Sequence, residues 1–208
     1  NLDLRYEFFP KSSEQFMVGM FYKRLKNPIE YGLLNEGQDT YYKPMNFGNA
    51  TNLGVEVDVM KYFNWFGIKA NYTYTHSSIT TEKRIMDGND VKACTQTRPL
   101  FGQAAHVANL SLLFKSTKYG WEGQIAGSYT GKRLSDISNW YDDDIWEDGY
   151  MQLDASVEKS FKNGISLFAK ASNLLDTPLL RFIQNGPRTE NVNSERNNGN
   201  VIDRKSVV

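Results

Sequence analysis

Residues 53–76 read LGVEVDVMKYFNWFGIKANYTYTH. In the first arm Leu53, Val55, Val57 and Val59 fall on one parity, and Gly54, Glu56 and Asp58 on the other. Phe63, Asn64 and Trp65 make the turn. In the second arm Phe66, Ile68, Ala70, Tyr72 and Tyr74 share one face, opposite Gly67, Lys69, Asn71, Thr73 and Thr75. Side chains alternate across a strand with period 2, so each arm has one apolar and one polar face. The arms are about ten residues long and aromatics crowd the turn, the pattern of a strand pair set between lipid and water.

The same alternation predicts six further strands. They are Asn1 to Phe9, Gln15 to Lys26, Ala104 to Phe114, Trp121 to Thr130, Tyr150 to Phe161 and Ile165 to Asn173. The first arm of the hairpin reads as the end of a long strand from Tyr41 to Tyr62, and Pro44 marks an edge, a bulge or a solvated extension at its start. The connections alternate in length. Pro10–Glu14, the Asn64 turn, Lys115–Gly120 and Lys162–Gly164 are short, and Asn163-Gly164 is a hairpin signal. Asn27–Thr40, Ser77–Gln103, Gly131–Gly149 and the polar tail beyond Leu174 are long. Consecutive antiparallel strands turn at opposite ends, so every short turn falls at one end of the sheet. Bacterial outer-membrane barrels have this asymmetry.

The aromatics follow the same geometry. Phe8, Phe9, Phe16, Tyr62, Phe63, Trp65, Phe66, Phe114, Tyr119, Trp121 and Phe161 lie beside the short turns. Amphipathic rings favour the membrane interface. Tyr22, Tyr72, Tyr74, Tyr129 and Tyr150 predict a second girdle at the loop ends. The polar faces carry Asp3, Arg5, Glu7, Glu56, Asp58, Lys69, Glu122, Asp154, Glu158 and Lys170, which suit a wet lumen or a soluble exterior. Alternation alone leaves that choice open, and the two girdles favour lipid on the apolar side.

Composition narrows the function. Lys plus Arg and Asp plus Glu are both 24 among 208 residues, so nothing points to nucleic acid. No run of 18 apolar residues offers a transmembrane helix, which does not argue against a strand-built span. Cys94 is the single cysteine and reads as an incidental loop thiol. The first residues, NLDLRYEFF, have neither a charged nor an apolar leader region. They begin in register, so the chain reads as processed or cut from something longer.

Four segments, NFGNATNLGVEVDV (46–59), RPLFGQAAHVANLSLLF (98–114), GSYTGKRL (127–134) and LFAKASNLLDTP (167–178), stand in this order. In them, over residues 1–180, the sequence resembles the C-terminal part of the barrel of TonB-dependent outer-membrane receptors, the Bacteroidota type in particular. The resemblance implies an all-β, antiparallel up-and-down transmembrane barrel segment: about eight strands of a barrel of roughly 22 around a plug. It implies the cell outer membrane and active uptake of a large nutrient such as a siderophore, a cobalamin or a glycan. It also implies an energising inner-membrane complex engaged through N-terminal parts outside residues 1–208. The family closes on a strand ending in an aromatic; Ser206, Val207 and Val208 stand here instead, and 174–208 reads as a polar or truncated end.

The loop GKRLSDISNWYDDDIWEDG (131–149) is the candidate ligand contact. Trp140, Tyr141 and Trp146 can stack on sugar rings or meet cations. Asp142, Asp143 and Asp144, with Glu147 and Asp148, offer oxygen ligands for Ca²⁺, but their spacing fits no EF-hand, and a solvated acidic loop packed on its neighbours is the favoured reading. Asp87, Asn89 and Asp90 are sparser still, and His76 and His106 alone make no metal or acid–base site. No phosphate loop, nucleophile triad or paired-carboxylate motif stands out, so no enzyme, metal or cofactor is expected. The alternatives are a complete eight-stranded membrane barrel and a soluble β-sandwich used for binding.

Overall fold

The computed structural model describes residues 1–36 and 39–183. Among the described residues fourteen strands are formed: β1 Leu2–Phe8, β2 Gln15–Lys26, β3 Ile29–Glu36, β4 Asp39–Asn46, β5 Asn49–Phe63, β6 Phe66–Asp87, β7 Asp90–Arg98, β8 His106–Ser116, β9 Trp121–Thr130, β10 Arg133–Ser138, β11 Ile145–Glu147, β12 Tyr150–Ser160, β13 Ser166–Ala171 and β14 Arg181–Ile183. Eight of them run antiparallel in the order β1-β2-β5-β6-β8-β9-β12-β13, each joined to the next in chain order of the expected eight. The short turns fall at one end of this arc and the long connections at the other. Among the described residues β1 and β13 are outer edges and do not pair with each other, so the arc stays open.

Register fixes the two faces. Leu4 pairs with Met20, Met20 with Val55, and Val55 with Tyr74. Leu112 pairs with Ile125 and Ile125 with Ala155. These residues share the convex face, which no protein layer covers: Leu4 is 66% exposed, Leu53 41% and Ile125 52%. A soluble sandwich would bury that row. The other face is a polar lattice, where the Asn109 amide donates to Asn71 (2.8 Å), Gln124 to Ser111 (3.3 Å) and Gln152 to Asp154 (3.0 Å).

Both girdles stand on the convex face. Phe63 stacks on Phe66 at 4.8 Å, and Trp65 meets Phe114 edge-on at 5.9 Å. Tyr22, Tyr72, Tyr74 and Tyr129 are exposed at the other level, where the Tyr72 hydroxyl lies 2.8 Å from His106 Nδ1. Eight residues separate Phe66 from Tyr74, about 27 Å along the strand. Tilted by ~40°, that spans roughly 21 Å, near the height of an outer-membrane apolar band.

Two aromatics expected in the girdles face the lumen instead. Tyr150 pairs with Thr130 on the wet face, with the Arg133 guanidinium 5.9 Å from its ring. Tyr62 lies over Gly67, where a Cβ would come within 2.6 Å of its ring. Phe21, on the inner face of β2, covers Gly54 in the same way. An aromatic laid over a strand glycine shields backbone that has no side chain of its own.

The long connections differ most from the sequence reading. Asn27–Thr40 is not a loop, and Tyr41–Tyr62 is not one strand: β3 and β4 form a hairpin, and β5 starts afresh at Asn49. Ser77–Gln103 continues β6 to Asp87, turns at Gly88 (φ +65°) and returns as β7. Gly131–Gly149 holds β10 and β11. The β6–β7 hairpin stays with the first sheet, while β3, β4, β10 and β11 join β14 in a second one, β14-β11-β10-β3-β4, in which β10 and β3 run parallel. Pro44 sits on its edge strand β4, where no ladder N–H is needed. The dry core is here rather than in the arc: Ile79, Leu134 and Ile137 are each about 1% exposed or less. Residues 184–208, including the end of the polar tail and the closing residues, lie outside the described part.

Candidate functional site

The second sheet sits against the lumen side of the loop end. On β6 the residues Thr75, Ser77, Ile79, Thr81 and Lys83 share the lumen parity and are all buried, while Thr80, Glu82 and Arg84 face away and are exposed. The alternation of the membrane-spanning part therefore continues beyond it, with polar residues now inside protein. Buried polar groups need partners; the Ser77 hydroxyl accepts from the Leu100 N–H at 3.0 Å, and Lys83 is met by an ion pair from the second sheet and its loops, which form a cap.

Lys83 Nζ lies 2.6 Å from Asp144 Oδ1, and both side chains are at most 3% exposed. Nζ also donates to the Ser138 carbonyl, and the Ser138 N–H donates to Asp144 Oδ1 at 2.8 Å. Burial pushes the Lys83 ammonium below the ordinary lysine value, against the pull of Asp144. Arg98 on β7 binds Glu30 on β3 at 2.9 Å, and the Phe101 N–H takes the other Glu30 oxygen at 2.7 Å. A third group lies within the cap. Arg133 pairs with Glu147, Arg181 approaches Asp136 (3.6 Å) and Glu147 (3.8 Å), and the Tyr42 hydroxyl donates to Asp136 at 2.6 Å.

The six residues of the aromatic–acidic loop part company. β5 ends opposite Ile79, which leaves the upper edge of β6 open on that side. Trp140 forms a parallel bridge to Arg84 there, flanked by bonds from the Arg84 N–H to the Asn139 carbonyl and from the Tyr141 N–H to the Arg84 carbonyl, both 2.8 Å. Tyr141 is 40% exposed. Asp142, at φ +57°, accepts from the Gln96 amide at 3.0 Å. Asp143 is exposed and accepts from the Ser138 hydroxyl at 3.2 Å. Asp144 is buried on Lys83. Trp146 pairs with Leu134 and Phe182, with Lys132 Nζ 4.6 Å from its ring centre. Trp140, Tyr141, Asp142 and Asp143 thus stay together on an accessible ridge beside the β6–β7 hairpin, while Asp144 and Trp146 belong to the cap interior and its flank. The three consecutive carboxylates are held by the Gln96 amide, the Ser138 hydroxyl and the Lys83 ammonium in turn, and among the described residues no three His, Cys, Asp or Glu side chains are placed to share a metal.

Below the cap the wet face holds a hollow of about 470 Å³, lined in part by Tyr62, Lys69, Asn71, Asn109, Ser111 and Gln124. Lys83, Arg98 and Glu30 were not among the sequence candidates. The one available signal was the Asp87-Gly88 turn, which marks the hairpin that carries Lys83 and Arg98; nothing in the sequence singles out Glu30.

A family model described as TonB dependent receptor-like, beta-barrel matches residues 1–174. That span covers all eight strands of the arc and every cap strand except β14. None of the curated proteins matches the sequence.

Proposed function

Because the chain belongs to the β-barrel family of the TonB-dependent receptors, outer-membrane transporters of Gram-negative bacteria, we propose that it forms one side of a pore for energy-coupled uptake of a large nutrient. The substrate class is a siderophore, a cobalamin or a glycan, and the four family-like segments suggest the Bacteroidota type. The supporting observation is a sheet apolar on its convex side, polar on its concave side and covered by protein only at the long-connection end. The outer edges of β1 and β13, unpaired among the described residues, call for further strands, since unpaired strand edges are not tolerated in lipid. Residues 1–208 are then a partial barrel domain, with the plug and the parts that reach the energising complex supplied elsewhere.

In this reading the cap is the extracellular gate and its outer ridge greets the ligand. Trp140 and Tyr141 offer flat faces, and Asp142 and Asp143 offer acceptors. Asp144 holds the ridge in place through Lys83, and Trp146 braces the cap flank. Binding at the ridge and passage along the polar face are separable steps. The test is uptake of candidate nutrients by cells carrying the intact receptor. The double substitution W140A/Y141A lowers binding at least tenfold with unchanged outer-membrane abundance. Unchanged binding for every nutrient the receptor transports would remove the ridge from the account.

A further inference from the structure

The convex face of the arc is not uniformly bulky. Where β9, β12 and β13 run side by side it carries Gly123, Ala155, Ala169 and Ala171 at neighbouring register positions: Gly123 opposite Val157, Val157 opposite Ala169, and Ala155 opposite Ala171. Trp65 and Phe114 stand at one side. Together they border an apolar trough of about 770 Å³. A chain carbon occupies about the volume of a water molecule, ~30 Å³, so the trough holds roughly 25 of them.

The charges around its short-turn end are sorted by face. Glu122 and Glu158 are opposite each other on the lumen side, where Lys115 pairs with Glu122 at 2.8 Å. The lipid side carries lysines instead. Lys159 stands one pleat beyond Val157, its Nζ 4.9 Å from the Trp121 ring centre and donating to the Tyr119 carbonyl. Lys61 reaches over Phe63 (5.6 Å) and Lys118 over Tyr119 (5.4 Å). Among the described residues none of the three is in an ion pair with a carboxylate. Their stems lie along apolar surface with the ammonium at the interface, the usual arrangement for such side chains.

We propose that this face is a binding site for an anionic glycerophospholipid of the leaflet at the short-turn end, its acyl chains in the trough and its phosphate on Lys159, with Lys61 and Lys118 adding to the local potential. The proposal rests on the convex face meeting lipid. A positive, aromatic-lined margin beside an apolar trough of acyl-chain volume is complementary to an anionic headgroup with its tails. A second protein copy would need an acidic margin to match, and among the described residues this face presents none beside the trough.

The experiment uses the intact receptor purified in mild detergent, with bound lipid quantified by mass spectrometry and thermal shifts measured on adding phosphatidylglycerol or phosphatidylethanolamine. The wild type retains phosphatidylglycerol at least fivefold over phosphatidylethanolamine. K159Q abolishes that preference while still retaining lipid. A155L/A169L, which fills the trough from its lipid-facing side, lowers retention of both lipids at least fivefold. Equal retention by wild type and A155L/A169L overturns the proposal, as does a preference that K159Q leaves intact. So does a dimer cross-linked through Cys introduced at Ile125 that forms in the native outer membrane, with lipid present. All variants are scored only after outer-membrane fractionation shows insertion, and failure of the wild type to insert would count against the transporter reading instead.

Discussion

Consider D144N, which removes the charge that faces Lys83 while keeping the shape of the side chain. At 2.6 Å and an effective dielectric of ~20, the pair attracts by about 6 kcal/mol. Burying each ion costs several kcal/mol, so the net value of the pair is small. The direction of the Lys83 shift says the same, since desolvation outweighs Asp144 there. Breaking the pair is a different matter. Lys83 has two acceptors in the cap, Asp144 and the Ser138 carbonyl, and loses the charged one. Removing one member of a buried pair costs about 3–5 kcal/mol, which multiplies cap opening at least a hundredfold. The assay is amide exchange at Thr81, Lys83 and Ile137 in outer-membrane vesicles containing the intact receptor. K83M/D144L, which replaces both ions by apolar groups, is expected within about 1 kcal/mol of wild type. Exchange in D144N within threefold of wild type, or a double variant as open as D144N, would refute the reasoning.

Other outcomes follow from the same geometry. The depressed Lys83 pKa means that, between that value and the ordinary ~10.4, the unfolded cap binds more protons than the folded one; cap protection therefore rises with pH through that window, and K83M removes the rise. Gly120 sits at φ +63° at the end of the β8–β9 turn, and a Cβ there would be 2.2 Å from the Ser160 carbonyl oxygen, so G120A forces that turn away from the end of β12 at a cost of about 2 kcal/mol or more, read as a lower unfolding midpoint in lipid vesicles. V57K places a cation on the lipid face mid-strand and costs about 2–4 kcal/mol, whereas E56Q on the wet face is nearly neutral, measured by the same unfolding.

The arc was legible in the sequence because lipid on one side and water on the other impose period 2 on every spanning strand. Leu53 to Val59 and Phe66 to Tyr74 obey it without exception. The short turns showed through the same rule, and Asn64 (φ 35°) and Gly164 (φ 84°) adopt the left-handed conformations that such turns favour. The cap was hidden for a physical reason. Its inward residues are Thr75, Ser77, Thr81, Lys83, Glu30 and Arg98, which read as solvated until their partners from distant loops are in place. Composition cannot distinguish a charge facing water from one facing its counterion. Tyr150 was assigned to a girdle by its position along the strand, although its parity with Asp154 already placed it on the wet face. The acidic run Asp142–Asp144 looked like one cluster because adjacency in sequence was taken for adjacency in space; the turn between β10 and β11, with Asp142 at φ +57°, aims the three carboxylates in different directions.

The orientation of the arc carries the rest, and site-directed spin labelling of the intact receptor measures it directly. In a C94S background, labels at Leu53, Ile125 and Leu153 are compared with labels at Glu56, Gln124 and Asp154 for collision with oxygen, which concentrates in lipid, and with a water-soluble nickel chelate. Oxygen dominates at the first three positions and the chelate at the second three if the convex face meets acyl chains. The reverse order, or six positions shielded from both reagents, would contradict it.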